Sequence, residues 1–175
     1  MNDRMNVLVG TYVPNFCRSR VLILGCGNVL FGDDGFGPAV IEHLTENYAV
    51  PGEVCALDVG TGVRDLLCTV ALSPVRPRRV VVVDAADIGR EPGQMALAPI
   101  EDVVATKAGS FSLHELPTTS LLRELKECCQ VDVLLVSVQP ESIPETVKPG
   151  LSRRLKCAVA PVCDYIVRNY FYEKD

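Results

Sequence analysis

Apolar residues in this chain come in short unbroken runs, not in alternation with polar ones, and that sets the fold before any chemistry is considered. Val21–Gly25 is apolar throughout, Glu53–Asp58 carries a second run, Arg79-Val-Val-Val-Val-Asp84 a third, and Val131–Val138 a fourth. Strands of this kind bury both faces, as parallel sheets require, and β-branched valine suits the pleated backbone. Between the runs the period changes. From Gly37 to Tyr48 the apolar positions are Val40, Ile41, Leu44 and Tyr48, the spacing of a helix with one buried stripe. A second helix is predicted over 62–72, after Gly60-Thr-Gly62 and before Pro74. A third ends near Cys129 with Thr118 or Thr119 as its cap. The last opens at Pro149-Gly150, with apolar residues at 151, 155, 158/159, 162 and 166. A short strand at Gln94–Leu97 follows a Gly/Pro-rich turn, and residues 104–117 read as a long loop holding His114.

Strands alternating with helices predict an α/β fold: a three-layer α/β/α sandwich on a twisted, mainly parallel sheet of five strands. Residues 1–19 form an irregular leader, read as an added edge element, and 20–175 a single domain. In such sheets ligands bind beyond the carboxyl ends of the strands. Asp33, Asp34, Asp58, Asp84, Gln139 and Glu141 each follow the end of a predicted strand, so the fold gathers them on one edge.

The bulk properties narrow the partners. At 175 residues the chain has one domain's length, with a net charge of −5, which argues against nucleic acid or an acidic membrane. No apolar run approaches the ~20 residues that span a bilayer, so a cytoplasmic protein is expected. The 8 cysteines include no Cys-x-x-Cys pair, which disfavours zinc ribbons and redox motifs and leaves reduced thiols.

The candidate chemistry begins at the first strand end. Gly25, Gly27 and Gly32 are spaced G-x-G-x4-G, unlike a dinucleotide fingerprint, and Asp33 and Asp34 put negative charge where a pyrophosphate would sit. Such a turn repels an anion and attracts a cation. Plainer roles stand beside this one: Asp33 and Asp34 as turn residues or partners of a helix dipole, Asp58 as an Asx-turn, Asp84 as a cap. His43 lies on a helix beside Glu42, on what reads as an exposed face. His114, with Asp34 and Asp84, would give a mixed nitrogen and oxygen set suited to nickel, zinc or another borderline divalent ion. No Gly-x-Ser-x-Gly, His-Glu-x-x-His or P-loop occurs.

Gly25-x-Gly27-Asn28-x-Leu30-x-Gly32-Asp33-Asp34-Gly35-x-Gly37, followed in order by Asp58-x-Gly60-Thr61, Val83-Asp84-Ala85, Ser112-Leu113-His114 and Gln139-Pro140-Glu141, resembles the endopeptidases that mature the large subunit of [NiFe] hydrogenases. The resemblance runs over about residues 20 to 170. The leader through Arg20 and the segment Ser112–Thr119 are most similar to the maturation protease, or delta subunit, of deazaflavin-reducing hydrogenases in methanogens. The resemblance implies a phosphorylase/hydrolase-like sheet and removal of a C-terminal extension from a precursor large subunit that already carries nickel. It implies that Asp34, Asp84 and His114 bind a metal supplied by the substrate, with no tightly bound cofactor in the isolated protein. Within that frame Asp58, then Asp33, is the candidate catalytic carboxylate that activates water, and Gly60, Thr61 and Gln139 are candidates to hold the extension peptide. A cytoplasmic monomer with no nucleic-acid or membrane partner is expected. Asp34 stands where some relatives carry Glu, so the resemblance implies a metal that sits closer to the turn or is held more weakly. The rival readings are a non-catalytic nickel-site chaperone for the same large subunit, a dehydrogenase with Asp58 on a ribose, and a structural subunit of the hydrogenase.

Overall fold

The computed structural model describes residues 13–100 and 116–172. Strands β1 (Val21–Cys26), β2 (Val54–Gly60), β3 (Arg79–Ala85), β4 (Met95–Pro99) and β5 (Asp132–Val138) form one sheet in the order β2-β1-β3-β5-β4. All neighbours are parallel except β4, which runs antiparallel to β5 at the edge. Helices α1 (Asn15–Arg18), α2 (Phe36–Asn47), α3 (Val63–Leu72), α4 (Leu116–Glu127) and α5 (Arg153–Ile166) cover it. Alternate residues of each strand feed two cores. Val40, Ile41 and Leu44 of α2, with Leu155, Val159 and Val162 of α5, bury one face against Ile23, Val81, Val83 and Val136. Leu67 and Val70 of α3, with Leu122 and Leu125 of α4, bury the other against Leu22, Leu24, Val80, Val82 and Val133. Each such side chain contributes about 1.5–3 kcal/mol relative to exposure, which is why the unbroken apolar runs are legible as strands. The sheet and its two helical layers are as the sequence predicts.

The described end of the leader is the helical turn α1, whose Cys17 is fully buried in the α3/α4 core; residues 1–12 of the leader lie outside the described residues. Two helix starts differ from expectation. Helix α4 opens at Leu116, ahead of Thr118 and Thr119, because Pro117 is well placed in a first turn, where its missing N–H costs nothing. Helix α5 opens at Arg153, not Pro149-Gly150: Ser152 caps it, its Oγ accepting from the Leu155 N–H at 3.3 Å. The loop holding His114 lies outside the described residues. No helix among those described is long and apolar enough to cross a membrane, and all 8 cysteines are unpaired.

Two glycines set how α2 meets the sheet. A Cβ on Gly25 would strike the Gly37 carbonyl, and one on Gly37 would strike the Cys26 carbonyl and approach Val83 O at 2.5 Å. The first turn of α2 therefore lies directly on the ends of β1 and β3, and brings with it the acidic turn that precedes it.

Candidate functional site

Strand β1 ends at Cys26, and Gly27 turns the chain with φ +122°, a conformation open to glycine. A Cβ there would collide with the Asp34 carbonyl. The Asn28 N–H donates both to that carbonyl, at 3.1 Å, and to the Asp34 carboxylate, at 2.9 Å. Residues Gly32–Gly35 form a single 3-10 turn running into α2, and both of its aspartates are buried. Asp84 comes from the end of β3, on the face it shares with Val80 and Val82, and is only 4% exposed.

At this edge the Asp84 carboxyl resists ionisation. Burial first, and then the Asp34 charge, push the Asp84 carboxyl well above the usual carboxylate range, against the opposing help of the Ala85 N–H. Its Oδ1 has no hydrogen-bond partner among the described residues. Burial, then Asp84, Asp58 and Asp34 in turn, push the Cys26 thiol well above its ordinary value. Cys26 thus stays protonated and is no nucleophile at neutral pH. A divalent cation between Asp34 and Asp84 would relieve the repulsion and use the unpartnered oxygen, so these two carboxylates fit a metal. Among the described residues no group of three or more His, Cys, Asp or Glu side chains gathers to hold one. His114, the expected third ligand, lies outside them.

The other predicted residues separate by role. Asp33 is buried, and its carboxylate accepts three backbone N–H groups: Glu141 at 2.8 Å and Ser142 at 3.0 Å on Oδ2, and Ser152 at 2.6 Å on Oδ1. Charge-assisted bonds of this kind are about twice as strong as neutral ones, so Asp33 ties the turn to the segment after β5. Asp58 is exposed; its Oδ1 accepts the Gly60 N–H at 2.9 Å, an Asx-turn. The alternation of β2 aligns Asp58 with Val54 and Ala56 on the α2 side of the sheet, opposite Asp84, where it lines a cleft of about 430 Å³ with Val29, Gly35, Glu42 and Thr45. Gly60, at φ +48°, accepts the Gly27 N–H at 3.1 Å, and Thr61 beside it is exposed. Gln139 turns its amide oxygen inward, accepting from the Ile88 N–H at 2.8 Å and the Arg90 N–H at 3.2 Å. His43 sits along α2, its Nδ1 3.3 Å from the Asn47 amide nitrogen. The structure thus gathers Asp84, Asp58 and Asp34 around Cys26, with Asp58 on the neighbouring strand. Cys26 escaped sequence reasoning; its one signal is its place between Gly25 and Gly27 at a strand end.

Comparison with known proteins identifies the family. The family model described as Hydrogenase maturation protease matches residues 38–169. The coenzyme F420 hydrogenase subunit delta of Methanothermobacter thermautotrophicus is 34% identical over 146 residues, covering 81% of this chain and 88% of its own. Among solved structures, the hydrogenase maturating endopeptidase HybD from Escherichia coli superposes with a TM-score of 0.71 at 28% identity, over 85% of this chain and 90% of that one. The [NiFe] hydrogenase maturation protease HycI from Thermococcus kodakarensis gives 0.69 at 30% identity, over 86% and 91%. This chain therefore belongs to the hydrogenase maturation protease family, and is a peptidase of the kind that processes the C terminus of a hydrogenase large subunit.

Proposed function

We propose that the chain cuts the C-terminal extension from a [NiFe] hydrogenase large-subunit precursor only after nickel is in place, and reads that nickel through Asp34, Asp84 and His114. The observation that carries this reading is the buried Asp34–Asp84 pair, with its unpartnered Asp84 oxygen, at the carboxyl edge of the sheet. A pair so placed is costly without a cation and rewarded by one. The nickel belongs to the substrate, and the isolated protein holds no tightly bound cofactor. Amide hydrolysis then needs an attacking water and a group to take its proton. The reading that Asp58 takes that proton is supported by its exposed position on the cleft beside the turn, with the Cys26 thiol held protonated and both Asp33 oxygens occupied by backbone amides. Gly60 and Thr61 follow it in the chain, and the exposed Thr61 would meet the extension. The protein acts in the cytoplasm as a monomer, with the precursor as its partner and no nucleic acid or membrane involved.

The test is the intact mass of the precursor after incubation, nickel-loaded or nickel-free, with wild type or His114→Ala. Loss of a C-terminal peptide only from the loaded precursor, and only with wild type, is the expected result. Equal cutting of both precursors would refute the nickel reading, and an unchanged mass throughout would refute the cleavage.

A further inference from the structure

Eight large apolar side chains stand exposed among the described residues, and four of them, Val29, Leu30, Ile143 and Val147, lie on two loops beside the acidic turn, at 36% to 65% exposure. The two loops are tied to one another. The Gly32 N–H donates to Lys148 O at 2.9 Å and the Lys148 N–H to Leu30 O at 2.8 Å, and the three amides on the Asp33 carboxylate close the tie from beneath. Gly32, at φ +58°, lies so near Pro144 that a Cβ would come within 2.8 Å of the ring. Pro140, Pro144 and Pro149 stiffen the second loop further. Loops that expose apolar side chains while being held this firmly are pre-organised for a partner.

We propose that Val29, Leu30, Ile143 and Val147 form the docking surface for the folded body of the large-subunit precursor, as distinct from its extension. The inference rests on the functional reading above and names the surface by which that substrate is held. Its position argues for the occupant. Val29 also lines the cleft that contains Asp58, so at least one member of the set borders the proposed site. Asp34 and Asp84 lie beneath the rim, only 3% and 4% exposed. A metal held inside another protein reaches them only if the surface around that metal is pressed onto the rim and both are dried. An extended peptide could thread the cleft alone; a folded body could not avoid the patch. Asp33 is on this account a positioning residue, acting through the loops and not on the scissile bond.

The experiment compares wild type, the double variant Leu30→Asp/Val147→Asp, and Leu72→Asp. Leu72 is 86% exposed at the far end of α3, away from the carboxyl edge, and serves as control; circular dichroism verifies that all three fold. On the nickel-loaded precursor the double variant should raise KM roughly tenfold or more with kcat little changed, since charge placed in an apolar contact weakens association, and Leu72→Asp should match wild type. Wild type should also bind a nickel-loaded large subunit truncated before its extension, and the double variant should bind it more weakly by a similar factor. An unchanged KM in the double variant, or an equal rise in Leu72→Asp, overturns the docking surface. Failure of wild type to bind the truncated body, while it cuts the full precursor, assigns the patch to the extension and also overturns it. If wild type cuts no precursor at all, the functional reading falls and the docking surface with it.

Discussion

Asp84→Asn should give a more stable protein that no longer binds metal. The substitution keeps the side chain's shape and removes a charge that burial and Asp34 both oppose. Removing that opposed buried charge should raise Tm, each kcal/mol being worth about 2–4 °C at this size. The sign with pH follows from the raised carboxyl. Its pKa in the folded protein lies above the unfolded value, so its favourable contribution is complete below the unfolded pKa and is lost as pH rises through the folded one. The stability gap between variant and wild type should therefore be smallest in acid and widen toward neutrality, as thermal melts over that range would show. Calorimetric titration with Ni²⁺ should meanwhile find affinity lower by more than the roughly 10–100-fold that outer-sphere losses cost. A variant less stable than wild type at neutral pH would contradict the assignment of Asp84 as an unmet charge. At this scale the sequence was a partial guide. That Asp34 and Asp84 lie on one edge was legible because strand ends announce themselves. Asp33, one residue away, reads in the sequence as a second candidate base, since only the path of the distant 141–152 segment shows its carboxylate to be consumed by backbone amides.

The elements transmit that arrangement through contact between backbones. Gly37→Ala would press a methyl group against the Cys26 carbonyl and within 2.5 Å of the Cys26 nitrogen and the Val83 oxygen, none of which can move without disturbing the β1–β3 ladder. Overpacking of this kind costs about 1–3 kcal/mol, and here it would also lift the first turn of α2 and the aspartates before it. Gly37→Ala is thus expected to lower Tm and weaken metal binding together, whereas Gly52→Ala, with nothing within 4 Å of the new methyl, should stay within about 0.5 kcal/mol of wild type. A Gly37→Ala protein with unaltered Tm would show that α2 is not seated on the strand ends as described. The glycine pattern in the sequence was visible, and so was its mismatch with nucleotide binding. Its purpose was not, because close approach of helix and sheet depends on strand order, which no local pattern encodes. The short strand β4 illustrates the same limit: its existence could be read from composition, but its place outside β5 comes from pairing.

At the scale of the whole molecule, the site and the core share one element of structure. Cys26 belongs to the buried face that includes Leu22, Leu24 and Val82, yet it also feels the charge of Asp34, Asp58 and Asp84. If the site edge opens only when the core does, its thiol should report global unfolding. The 8 cysteines permit the comparison within one protein. Cys128 and Cys157 are exposed; Cys17, Cys26 and Cys163 are buried, and burial, then the Asp164 charge, push Cys163 up to about 12, with its Sγ 3.5 Å from Val40 O as a donor. A thiol reagent at mildly alkaline pH should modify Cys128 and Cys157 rapidly, since thiolate fraction and access together set the rate. Cys17, Cys26 and Cys163 should follow slowly and in step, at a rate that tracks the equilibrium population of the unfolded chain. Peptide mapping after timed quenching would resolve them. Added Ni²⁺ that engages Asp34 and Asp84 should slow all three alike, by stabilising the native state as a whole. Protection confined to Cys26, or its early labelling while Cys17 and Cys163 remain intact, would mean that the carboxyl edge opens on its own. The cation-reading site would then be a locally mobile unit and not part of the folded core.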